Sequence, residues 1–170
     1  MSIETVRAFL ATRAPDVEIV ELPQSTATVE LAASGHGVAP AQIAKTLSLR
    51  VKDRTVLVVA CGTARLNNRK VKDVLGGKAS MLSSEEVAML TGHPVGGVCP
   101  FGLATPLPIY CDISLRAFDE VLPAAGSKNS ALRISPLRMA DLVNARWVDV
   151  CDVPGETLAR AGLEPSNASS

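Results

Sequence analysis

The sequence predicts a single α+β domain built around a mixed β-sheet, and three observations carry that expectation. The first is composition. The 170 residues are 47% hydrophobic and 20% charged, a globular balance at a length that supports its own core. The second is a hairpin signal between residues 46 and 61. The third is that helical stretches alternate with strands elsewhere, so hairpins mix with helical crossovers. No repeat, heptad or linker divides the chain. One domain over 1–153 is expected, with a small, polar and flexible tail over 154–170.

Ile3, Val6, Phe9 and Leu10 recur at helical spacing behind Ser2, a candidate cap, and predict a helix over 3–13. Val17 to Leu22 alternates between two prolines and predicts a strand. Thr28 is placed to cap a short helix that stops at Gly35, and Pro40 to start another over 41–44. Leu47, Leu49 and Val51 alternate with polar residues, Lys52-Asp53-Arg54 turns, and the Val-rich run Thr55 to Cys61 returns as a mostly buried strand. Asn67 or Asn68 opens a helix closed by Gly76-Gly77, and Ser83 or Ser84 opens one ending at Gly92. Beyond these, Ile109 to Asp112 predicts a strand, Ser114 to Leu122 a helix, and 124–129 a loop. Leu132 to Ile134 predicts a strand, Ser135-Pro136 a helix start, and Trp147 to Val150 a last strand.

Composition also excludes. Aromatics are only 3%, too few for a platform of rings stacked on single-stranded nucleic acid. The four cysteines lie far apart, with no CxxC pair and no histidine at ligand spacing, so a metal site is not expected. No cofactor is expected either. The N-terminus lacks the basic start and apolar run of a signal peptide, and the longest apolar run, Val56 to Cys61, is too short to span a bilayer. A soluble, cytoplasmic protein without a membrane partner is expected.

Charge is neutral in sum and uneven in distribution. Residues 40–80 hold nine Lys/Arg and two Asp/Glu, while the rest hold eight and fifteen. Arg65, Arg69, Lys70 and Lys72 fit a phosphate-binding face, or simply the solvated side of one helix.

Three places can carry chemistry. If the first hairpin strand extends back two residues, Lys45 shares a face with Leu47, Leu49 and Val51. An ammonium on that apolar side, or at its rim, needs an anionic or hydrogen-bonding task, because burying it alone costs several kcal/mol. The alternative is a chain that turns at Thr46 and leaves Lys45 in water. The loop Gly96-Gly97-Val98-Cys99-Pro100-Phe101-Gly102 can bring backbone N–H groups close to a ligand, or be only a turn. It matches neither the phosphate-loop pattern nor the dinucleotide fingerprint. Gly126-Ser127-Lys128-Asn129 is a third loop with a hydroxyl and a cation. His36 and His93 stand isolated, and no GxSxG pattern is present. Cys99 is either a nucleophile or a small buried hydrophobe.

Taken in order, Gln42-Ile43-Ala44-Lys45-Thr46-Leu47, Thr91 to Gly102 ending in GGVCPFG, Leu107 to Asp112, and AAGSKN resemble the YbaK-type aminoacyl-tRNA deacylases, free-standing relatives of the editing domain of bacterial prolyl-tRNA synthetases. The resemblance runs from Thr26 to Val150. It implies a mixed, partly curled sheet wrapped by helices around one pocket. It also implies hydrolysis of the ester of a mischarged tRNA bearing a small amino acid (Ala, Cys, Ser or Thr), without metal or protein nucleophile. Lys45 matches the family's essential lysine. Gly96, Gly97, Val98, Cys99, Pro100 and Gly102 match the loop lining the aminoacyl pocket. Gly126 and Ser127 match a second pocket loop, and Thr26 and Thr28 a polar border. The implied partners are a mischarged aminoacyl-tRNA and a synthetase. Backbone N–H groups of Gly97 and its neighbours would stabilise the oxyanion. Two departures stand out: Cys99 where many relatives carry Ser, and Leu132-Arg133 where some are acidic. The other readings of the same residues are a non-catalytic tRNA-, nucleotide- or synthetase-binding module, and a Cys99-dependent hydrolase.

Overall fold

The computed structural model describes residues 2–154, so of the expected tail only Pro154 falls within the description. Helix α1 (Ser2–Arg13) precedes strand β1 (Ile19–Glu21) and helix α2 (Val29–His36). A 3-10 turn, Pro40–Gln42, leads into the long hairpin of β2 (Ile43–Val51) and β3 (Arg54–Cys61). Then follow β4 (Arg65–Leu66), α3 (Asn68–Leu75), β5 (Ala79–Met81), α4 (Ser84–Thr91) and β6 (Ile109–Asp112). After a second 3-10 turn, Ile113–Ala117, come β7 (Leu122–Pro123), β8 (Ser130–Leu132), α5 (Pro136–Leu142), β9 (Arg146–Val148) and β10 (Cys151–Asp152).

The main sheet runs β5-β2-β3-β6-β9, and β7 adds to β2. It is mixed. The β2–β3 and β2–β5 pairs are antiparallel, while β3–β6, β6–β9 and β2–β7 are parallel. Two short antiparallel pairs, β1–β8 and β4–β10, complete the architecture. Val56 to Ala60 on β3 are wholly buried, which explains an unbroken apolar run where a half-exposed strand would alternate. Val6 and Leu10 of α1 pack into the same core.

Local signals set the helix ends well. Asn67 caps α3 by accepting the Lys70 N–H, and Ser83 with Glu86 forms a reciprocal capping box at α4. Elsewhere tertiary pairing wins. The predicted helix Ser114 to Leu122 is a short 3-10 turn followed by extended chain, because Leu122 pairs with Ile43 and Val121 bridges Ile134. The predicted helix over 41–44 ends at Gln42, and Ile43 already belongs to β2. Helix α2 runs through Gly35 and stops at Gly37, which takes the left-handed conformation with φ 72°. The Ser2 hydroxyl donates to the Gly126 carbonyl instead of capping α1, tying that helix to the 126–127 loop.

Candidate active site

The site is a cavity of about 300 Å³ between β2, the start of α2, α4 and the 95–98 loop. The face of β2 carrying Ala44, Thr46 and Ser48 forms one wall, and consecutive residues Ile43 to Thr46 all contribute, so the end of the strand passes along its edge. Val29 and Ala32 of α2, Leu82 and Val87 beside α4, and Leu122, Ala124 and Ala131 give it an apolar floor. The Arg50–Glu86 pair at 2.6 Å holds α4 against β2. Both side chains are about 40% exposed, so solvent screens the pair and its contribution to stability is small.

Lys45 lies in the wall, half-buried, and its Nζ donates to the carbonyls of Ala64 at 2.5 Å and Gly62 at 3.2 Å. Burial holds its pKa below the ordinary lysine value; the Cys151 and Cys61 thiols oppose that shift and the Arg65 guanidinium adds to it. The turn that offers these carbonyls is itself fixed. Ala64 N–H donates to the Cys61 carbonyl at 3.0 Å, and Cys61 N–H to the Ser114 hydroxyl at 3.2 Å. Ser114 N–H in turn donates to Asp112 Oδ2 at 2.9 Å. On the other flank, Cys151, paired with Leu66, donates its N–H to Asp112 Oδ1 at 3.1 Å, as Val150 does at 2.8 Å. One carboxylate, 1% exposed, thus braces both sides of the turn that holds the lysine. The strand signal at Ile109 to Asp112 was legible, but this bracing role was not, since it depends on partners 38 and 39 residues away.

The Gly-rich loop divides by parity. Gly96 and Val98 line the cavity. Gly96 sits at φ 94°, and a Cβ there would meet the Ala27 Cβ at 2.8 Å, so side-chain-bearing residues are strained and crowded. Gly97 points away. A Cβ on it would lie 2.8 Å from the Ser127 backbone, and its N–H is already given to the Pro94 carbonyl at 2.8 Å, so the expected oxyanion donor is engaged elsewhere. Cys99 also points away from the cavity, into the core. It is wholly buried, its Sγ lies 3.6 Å from His93 Nε2, and burial pushes its thiol up to about 12. A thiol in that state is protonated at neutral pH, and it is outside the cavity lining. Pro100 and Gly102 line a separate surface groove with Phe9 and Leu103.

The second loop supports the site without lining it. Gly126 N–H donates to the Gly97 carbonyl at 3.0 Å, and the Ser127 hydroxyl donates to the Ser130 hydroxyl, a cavity residue, at 2.6 Å. Thr26 and Thr28 do line it; Thr26 donates to the Lys128 carbonyl at 3.3 Å, and Thr28 caps α2 by accepting the Leu31 N–H. Of the basic residues, Arg65, Arg69 and Lys72 are exposed, whereas Lys70 is held by Asp149 at 3.0 Å and Asp152 at 3.3 Å. Sequence reasoning missed Thr46, Ser48, Ala124 and Ser130, which reach the cavity only through the sheet. Among the described residues lining it there is no His, Cys, Asp or Glu. No helix among the described residues is long and apolar enough to cross a membrane.

A lysine-bearing cavity in a mixed sheet braced by glycine loops is the candidate site, and similarity to known proteins gives its family. Residues 23–142 match the profile of the aminoacyl-tRNA editing domain, and the chain belongs to that family. It is 43% identical over 153 residues to YwhH, an uncharacterised Bacillus subtilis protein, covering 89% of this chain and 98% of that one. It is 33% identical over 128 residues to the proline–tRNA ligase of Bacillus licheniformis, covering 74% of this chain and only 22% of the ligase. A solved structure described as a candidate trans-editing enzyme for prolyl-tRNA synthetase superposes with a TM-score of 0.82 at 35% identity, covering 89% of this chain and 97% of that chain. The chain is accordingly a hydrolase of the aminoacyl-tRNA deacylase class.

Proposed function

We propose that this protein acts in trans on a mischarged tRNA and hydrolyses the ester of a small amino acid of the Ala, Cys, Ser or Thr class. The observation that carries the reading is the cavity itself: a held ammonium and a glycine turn on a small, largely apolar chamber, with no Cys thiol, and no His, Asp or Glu to activate a hydroxyl, among its described lining residues. Lys45 offsets negative charge on the terminal adenosine's phosphate or on the carbonyl oxygen as water attacks. Backbone N–H groups near Gly96 and Val98 take the oxyanion role, which Gly97 cannot fill. With no imidazole or carboxylate among the described lining residues, the vicinal ribose hydroxyl of the substrate orients the water, takes its proton and passes its own to the departing ribose oxygen. The ester carbon–oxygen bond then breaks and releases amino acid and tRNA.

Arg65, Arg69 and Lys72 continue the positive field from the site and meet acceptor-stem phosphates, with Arg65 near enough to bear on Lys45. Lys70 is committed to its two aspartates and takes a smaller part. A synthetase is the second partner in this reading, and the cytoplasm its compartment. The test is incubation of Ala-, Cys-, Ser- and Thr-charged tRNAs with the protein at several salt concentrations. At least one charge should be lost well above the uncatalysed rate, more slowly as salt rises. No acceleration on any of the four overturns the proposal.

A further inference from the structure

The mouth of the cavity carries apolar side chains that the core does not use. Among its described lining residues four are exposed, Thr28, Met81, Ser84 and Val95. A residue that lines a chamber and still faces water stands at its rim. Met81 is 62% exposed and Val95 52%, whereas Leu82 and Val87 of the same wall are buried. The exposed hydrophobics of the two flanking helices, Leu31 and Met89, lie outside the lining. Each follows a lining residue, Val29 or Val87, by two positions, a spacing that puts it on the far side of its helix.

Both rim side chains stand on fixed backbone. Met81 ends β5, where it pairs with Leu49 of β2. Val95 takes the second position of a four-residue turn closed by the Gly97 N–H, which donates to the Pro94 carbonyl at 2.8 Å. Gly96 fills the third position at φ 94°, a conformation that glycine adopts freely. Turn chemistry selects small and polar residues, so a valine at this corner is not explained by the turn. Nor does burial explain either residue, since each keeps more than half its surface in water.

We propose that Met81 and Val95 seat the terminal nucleobase of the charged tRNA, packing on its face while the acyl group enters the chamber. The inference rests on the deacylase reading and deepens it. The glycosidic nitrogen is only a few bonds from the esterified ribose oxygen, so an ester held beside Lys45 and Gly96 keeps the base at the mouth. Protein sites commonly stack bases on aromatic rings, and no Phe, Tyr or Trp is among the described lining residues. A polarisable thioether and a branched aliphatic side chain are the apolar surface at the rim, and a thioether is favourable against a π system. Two side chains are far short of the area that a stable protein–protein interface buries, which favours a base over a protein partner.

The test uses non-hydrolysable 3′-amides of 3′-amino-3′-deoxyadenosine bearing alanyl, cysteinyl, seryl or threonyl groups. It pairs them with the same amides on a 1,4-anhydroribitol ring, which keeps the sugar and lacks the base. Each is titrated against wild type, Met81→Ser, Val95→Ser and the double variant. Wild type should bind its preferred adenosine amide about tenfold more tightly than the base-free counterpart. Each single variant should lose part of that difference, and the double variant should bring it within about twofold. Affinity for the base-free amide should not change, and the melting temperature should stay within about 2 °C of wild type. The inference is overturned if no adenosine amide binds wild type, if wild type does not distinguish the two series, or if the difference survives in the double variant. It is also overturned if the double variant weakens both series alike. The deacylase reading stands or falls separately, on whether wild type releases amino acid from charged tRNA.

Discussion

Lys45 Nζ donates to the Ala64 carbonyl at 2.5 Å, so the cation of the cavity is clamped by the turn that follows its own partner strand. A flexible four-carbon side chain loses much of its freedom in that clamp, and the entropic cost is met in the fold before any substrate arrives. The charged form is what the two carbonyls hold, while burial pulls the other way.

That balance has a pH signature. Because the Lys45 pKa is lowered, the ammonium is lost at a pH below the ordinary lysine value of 10.5. After subtraction of spontaneous ester hydrolysis, kcat should fall on an alkaline limb that lies below that value. Lys45→Arg should remove the limb, since a guanidinium keeps its proton. A wild-type profile flat through pH 10 contradicts the role.

Asp112 braces the turn from both flanks. Asp112→Asn places an amide donor against a backbone N–H and removes a charge that three N–H groups share, at a cost of about 3 kcal/mol. Its melting temperature should drop, and kcat measured well below melting should also drop, with a smaller loss in Ser114→Ala. Unchanged kcat in folded Asp112→Asn separates the brace from the chemistry.

Cys99 tests the thiol alternative. Buried outside the cavity with its pKa pushed up to about 12, it cannot supply a thiolate at neutral pH. Cys99→Ser should retain deacylation within about threefold while losing up to about 2 kcal/mol of stability, read from chemical denaturation. Complete inactivation of a folded Cys99→Ser would restore the nucleophile reading.

His93 links the loop to stability. It is wholly buried, its Nε2 lies 2.8 Å from the Phe101 carbonyl, and burial lowers its pKa, partly offset by that hydrogen bond. The carbonyl can only accept, so the neutral ring carries its proton on Nε2. A histidine with a lowered folded pKa leaves the unfolded state binding more protons below about pH 6.5, so stability is full above that value and is lost as pH falls toward the folded pKa. Denaturation curves from pH 7.5 to 5 should show this loss in wild type and less of it in His93→Gln. Parallel slopes would assign the pH dependence to other groups.

The legible parts of this molecule are those whose cause is close in sequence. Asn67, Ser83, Gly76 and Gly92 bound their helices through contacts within four residues, and the hairpin follows from alternation around Lys52, which takes φ 57° at the turn. Strands β4, β7 and β10 have two residues each and exist only because distant partners pair with them. The helix expected over 114–122 failed for that reason. In the site, Lys45 and the 96–98 loop were visible from residue type, while the alternation that sends Gly96 and Val98 inward and Gly97 and Cys99 away was not. It depends on packing against Ala27 and Ser127.

The central claim is that the clamped ammonium drives ester hydrolysis. Its most direct test is single-turnover deacylation of the preferred charged tRNA by wild type and by Lys45→Ala, both verified as folded. The rate constant should fall about 10²–10³-fold with substrate binding weakened far less. A Lys45→Ala protein that deacylates at the wild-type rate would contradict the account.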